Sequence, residues 1–109
     1  VAAQALGKVR DPRAVEPLLS LLRDGDRWAR RGAAWSLGEI GDPRAVEPIL
    51  PLLADGKKDV RTAAAEALGK LRDSRATAAL SAALEDEVEP EVRTAIRRAL
   101  REIRGEAEP

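Results

Sequence analysis

The chain has 109 residues, 44% apolar and 35% charged, with 19 basic and 19 acidic side chains and so no net charge. It contains no Cys and no His, which excludes disulfides, thiol chemistry, Cys/His zinc sites and histidine acid–base catalysis. The balanced charge argues against a general nucleic-acid or anionic-membrane binder, and apolar runs of a few residues cannot span a bilayer.

Self-similarity sets the order of the elements. VAAQALGKV (1–9) reads as the back half of a helix, with Val1 aligned to Gly32. DPRAVEPLLSLL (11–22) recurs as DPRAVEPILPLL (42–53) and, degraded, as DSRATAALSAAL (73–84), a period of 31 residues. Residues 11–41 and 42–72 share 17 identities in 31 positions, and the last copy carries one extra residue near EDEVEPE (85–91). Asp11, Asp42 and Asp73 are the expected N-caps, with Pro12 and Pro43 at the first helical position, where a missing N–H costs nothing. The first helix of a copy should stop near Asp24 and Gly25, or Asp55 and Gly56, a turn signal. Pro17, Pro48 and Pro51 lie inside these helices and should bend them. The second helix is predicted over 27–40, 58–71 and 90–104, with Gly41 a left-handed stop and Arg72 a weaker one at the same place.

With the partial helix, this makes about seven helices in an all-α solenoid of stacked antiparallel pairs. One domain is expected over 1–109: a partial repeat at 1–10, full repeats at 11–41 and 42–72, and a C-terminal capping repeat at 73–109.

The run D-P-R-A-V-E-P-L-L…D…V/A-R…A-A…A/S-L-G-x-I-G covers essentially the whole chain and resembles HEAT repeats. It is most similar to the short HEAT-like class found in phycobilin lyase subunits and many prokaryotic proteins, and consensus-engineered HEAT-like repeats share it. The resemblance implies a right-handed solenoid whose second helices line a concave surface. It also implies a charge ladder that joins an acid in each inter-helix turn to a base early in the second helix. Asp24 with Arg30, Asp55 with Arg61 and Asp86 with Arg93 fit that pattern. Deoxyhypusine hydroxylase is similar in RTAAAEALG (61–69), but its His-Glu metal pair is replaced by Arg31 and Gly32, Thr62 and Ala63, and Thr94 and Ala95. That activity is therefore not carried over. HEAT-like DNA glycosylases use concave aromatics and acids, a set that Trp28, Trp35, Asp59 and Glu66 distantly resemble, but no basic rim is present to hold phosphates.

At 100° per residue, the second helices sort into faces. Val60, Ala64, Ala67, Leu68 and Leu71 should pack on the first helix of their own copy, while Ala34, Gly38, Ala65 and Gly69 are small enough to admit the neighbouring copy. The aligned residues of the last copy are Arg97 and Arg101, which with Arg93, Arg98 and Arg104 read as a solvated cap. At the other end VAAQALGKV lacks its own first helix, so preceding residues or another chain should cover it.

The remaining face carries Trp28, Gly32, Trp35 and Glu39, then Asp59, Ala63, Glu66 and Lys70, then Glu91, Ala95, Arg98 and Glu102. There the copies differ most. Trp28 and Trp35, the only aromatic residues, lie about 20° apart around the helix axis and about 10 Å apart along it. With Gly32 between them they read as an aromatic anchor with a notch, the residue type most enriched at binding hot spots. The alternative is that both rings fold down to complete a small-residue core.

No phosphate loop or nucleophile–base arrangement is present in the sequence. The expected function is a non-enzymatic scaffold that binds a protein or peptide through Trp28, Arg31, Gly32, Trp35, Asp59, Glu66, Lys70 and Arg98. It needs no catalytic residue, metal or cofactor, and has no nucleic-acid or membrane partner. Two alternatives are a self-assembling structural or engineered module, joined through the N-terminal helix or the Trp patch, and an accessory module of a bilin-lyase-like enzyme. Without a signal or membrane segment, the expected location is cytoplasmic.

Overall fold

In the computed structural model, which describes residues 11–105, the D-x-R triplet that opens each repeat closes into a clasp. The carboxylates of Asp11, Asp42 and Asp73 accept the backbone N–H of Arg13, Arg44 and Arg75, each at 2.9 Å. The same arginines grip those carboxylates through Nη2 at 2.8 to 2.9 Å. These caps hold single 3-10 turns at Pro12–Ala14, Pro43–Ala45 and Ser74–Ala76. Among the described residues the α-helices are α1 (Val15–Leu21), α2 (Arg27–Ile40), α3 (Val46–Ile49), α4 (Lys58–Leu71), α5 (Thr77–Asp86) and α6 (Pro90–Arg104). The second helices thus occupy the predicted spans. The expected partial helix at 1–9 lies outside the described residues.

The expected proline bends reduce to one. Pro17 and Pro48 sit in the first turns of α1 and α3, where an amide N–H has no intrahelical partner, and α1 continues through Pro17 to Leu21. Pro51 alone changes the path: α3 stops at Ile49 and Leu50–Ala54 goes on as a 3-10 helix. Ser20, which can donate, holds the aligned place in α1.

The helix pairs stack with α2, α4 and α6 side by side, each also packed on the first helix of its own pair. Val15, Leu18, Leu37, Val46, Ile49, Val60, Leu68, Leu80, Val92 and Ile96 form one fully buried core. The small residues set the helix spacing. A Cβ on Gly38 would lie 2.9 Å from the Ala67 Cα, and one on Gly69 would lie 3.0 Å from the Ala99 Cα and collide with Glu102. All three second helices end on a left-handed residue: Gly41 (φ 78°), Arg72 (φ 52°) and Gly105 (φ 77°).

The charge ladder has a different register from the expected one. Arg30 donates through Nε and Nη2 to both oxygens of Asp55, at 2.8 and 3.2 Å, and through Nη1 to the backbone carbonyl of Asp24 at 2.8 Å. Arg61 does the same with Glu87, at 2.7 and 3.2 Å, and the carbonyl of Asp55 at 2.8 Å. Each arginine therefore takes a carbonyl from its own turn and a carboxylate from the next. Asp24 offers no carboxylate to Arg30; its side chain accepts the N–H of Asp26. Asp86 is likewise not the third rung. The extra residue extends α5 to Asp86, so Glu87 takes the post-helical place that Asp55 holds above it. Arg93 closes the series by donating to the carbonyls of Leu84 and Glu87 at 2.7 and 2.8 Å. Burial raises the carboxyls of Asp55 and Glu87, but their arginine and backbone N–H bonds outweigh it and hold both below the ordinary range.

The predicted arginine cap divides accordingly. Arg97, Arg98 and Arg104 are exposed, whereas Arg93 is half-buried as the last ladder member. Arg101 is also half-buried, with its Nε shielded from solvent.

Candidate functional site

The face formed by α2, α4 and α6 carries three adjoining recesses. At the N-terminal ends of α2 and α4, Arg27, Trp28, Arg31, Lys57, Lys58 and Asp59 bound a space of about 400 Å³. The next, about 390 Å³, shares Arg31, Lys58 and Asp59 and adds Trp35, Thr62, Ala63, Glu66 and Glu91. The third, about 270 Å³, shares Trp35, Ala63 and Glu66 and runs on to Lys70, Ala95, Arg98 and Glu102. Shared walls make them one trough across three helices.

Trp28 is 57% exposed and flanked by two guanidiniums, Arg27 at 4.7 Å and Arg31 at 5.7 Å from its ring centroid. The Asp59 Oδ1 accepts the N–H of Val60 at 3.1 Å, while its Oδ2 lies 3.6 Å from the Arg27 Nε and has no hydrogen-bond partner. Lys58 reaches across the stack to Glu91 at 3.1 Å, which raises the lysine and lowers the carboxyl. Trp35 is half-buried, with the Lys70 Nζ 5.8 Å from its centroid and Lys70 paired to Glu39.

Of the eight residues singled out in sequence, Trp28, Arg31, Trp35, Asp59, Glu66, Lys70 and Arg98 line this trough. Gly32 does not. It is buried, because the four-residue step from Trp28 turns it about 40° towards the side of buried Ser36. Ala63 and Ala95, at the aligned places, are buried too, so the row of small residues forms a floor and Gly32 is no open notch between the indoles.

Arg27 and Lys58 belong to the site but were not singled out. Arg27 had a visible signal, since it precedes Trp28 and is four residues from Arg31. The Lys58–Glu91 pair had none, because it depends on how two copies stack.

Two other recesses, of about 530 and 540 Å³, lie between successive first helices. The first is lined by Leu50, Pro51 and Val88, but its Asp55, Arg61 and Glu87 are ladder residues whose hydrogen bonds are already committed.

The sequence profile of the HEAT repeats matches residues 1–60 and 16–101, so the chain belongs to the HEAT repeat family. HEAT repeats generally act as protein-interaction scaffolds. Among curated proteins, none matches the sequence. Within the described residues no helix is long and apolar enough to cross a membrane.

Proposed function

We propose that the chain is a non-enzymatic scaffold that binds a peptide or protein surface along the α2–α4–α6 trough. Trp28 and Trp35 serve as its anchors, and Arg31, Asp59, Glu66, Lys70 and Arg98 tune specificity. The observation that carries this is Trp28. Among the large apolar side chains of the described residues only Trp28 and Val88 are exposed, and Trp28 lies on the face where the copies diverge most. Large amphipathic rings are the side chains most enriched at binding hot spots, and a scaffold does not otherwise require one there, since Asp59 and Glu91 hold the aligned positions. On this reading the repeats form one functional unit.

The test is a peptide selection from a random library against the whole chain, followed by titration of the recovered peptides. Two tryptophans and no tyrosine make intrinsic fluorescence a direct reporter of the trough. Affinity should fall at least about 100-fold in the Trp28→Ala/Trp35→Ala variant. Unchanged affinity removes the trough as the binding face. Light scattering across concentration addresses self-association, for which a dimer lost in Trp28→Ala would be the sign.

A further inference from the structure

We infer that the Trp28 end of the trough receives an acidic side chain of the bound segment, an inference that rests on the trough being the binding face. Two guanidiniums lie over one indole, Arg27 at 4.7 Å and Arg31 at 5.7 Å, from positions four apart on α2. A guanidinium stacked on a ring keeps its in-plane N–H donors directed outward, and that fork matches a carboxylate.

These donors are only loosely engaged. Among the described residues Arg31 has no carboxylate partner, and the Arg27 ion pair with the Asp59 Oδ2 is long, 3.6 Å, beyond hydrogen-bond distance. Lys57 adds a third cation, without an ion pair among the described residues, and Lys58, the fourth, is held by Glu91. This recess thus sets four cations against one carboxylate, Asp59. The framework arginines differ: Arg13, Arg30, Arg44, Arg61 and Arg75 each hold an acid at 2.7 to 2.9 Å.

The sign reverses in the adjoining recess, where Asp59, Glu66 and Glu91 face Arg31 and Lys58. A nucleic-acid backbone would run from attraction into repulsion over the roughly 10 Å between Trp28 and Trp35. A lone Asp or Glu followed by neutral or basic residues would not. An acidic residue in a peptide is therefore the favoured occupant.

Peptides selected from the random library should share an Asp or Glu at one position. Replacing it with Ala should weaken binding by about tenfold or more, and the Arg27→Gln/Arg31→Gln variant should weaken the parent peptide similarly. The Ala-substituted peptide should bind both proteins alike, which ties the acid to these arginines. Far-UV circular dichroism checks that the variant keeps its helicity. Peptides that depend on Trp28 and Trp35 but lack a recurring acid, or bind the arginine variant unchanged, overturn this inference and leave the trough standing. Peptides indifferent to the tryptophans overturn both. Displacement of the peptide by single-stranded oligothymidylate at equal concentration would also overturn it, in favour of a phosphate ligand.

Discussion

The ladder and the trough are built from the same residue types and use them in opposite ways. In the ladder, Arg30 and Arg61 each make three hydrogen bonds, and the Asp55 and Glu87 side chains they hold are only 9% and 5% exposed. In the trough, among the described residues, Arg31 lies beside an exposed indole without an acid, and Glu66 faces Trp35 without an ion pair. Charge that is locked from one repeat to the next fixes geometry. Charge left over on a diverging face is available to something else. Frame substitutions should therefore change stability, and trough substitutions should change binding.

Acid should produce the largest effect, because it attacks the frame at several places together. Asp11, Asp42 and Asp73 titrate below their ordinary value through the clasping arginines, Asp73 at about 2. Asp55 and Glu87 are also lowered. A carboxyl lowered by folding contributes fully above its unfolded value of about 4 and loses that contribution as pH falls towards its folded value. Helicity followed by circular dichroism should collapse between about pH 4 and 2. With no histidine in the chain, it should stay level between about pH 5 and 8.

Gly38→Val comes next. Its Cβ would press on the Ala67 backbone at 2.9 Å and force α2 from α4, costing about 3 kcal/mol in urea denaturation. Glu87→Ala removes the carboxylate held by Arg61 and should cost about 2 kcal/mol by the same measurement. The trough should respond least: Trp28→Ala should shift stability by under about 1 kcal/mol, since only exposed stacking is lost. If Trp28→Ala unfolded the chain as Gly38→Val should, the distinction between frame and trough would fail.

Much of the frame was legible because it repeats. The Asp11, Asp42 and Asp73 caps, the second-helix spans and the small residues at the seams follow from local rules that recur from copy to copy. What failed needed stacking or exact register. Asp86 seemed the third acid until the inserted residue proved to lie within α5, which moved the rung to Glu87. Gly32 looked like a gap because sequence spacing places it near Trp28, while the helical turn carries it under cover. The seven other candidates were found by asking where the copies disagree. Arg27 was missed although it precedes Trp28 and lies four residues from Arg31.

The left-handed residue that ends α4 has a practical consequence. Where its counterparts are Gly41 and Gly105, this turn uses Arg72 at φ 52°, a conformation that costs a residue with a Cβ about 1 kcal/mol. The turn is thus a reserve of unused thermostability, and Arg72 itself lines none of the trough's three recesses. Arg72→Gly should raise the melting temperature by about 4 °C in calorimetry, giving a hardier background in which weakened binding variants can be studied.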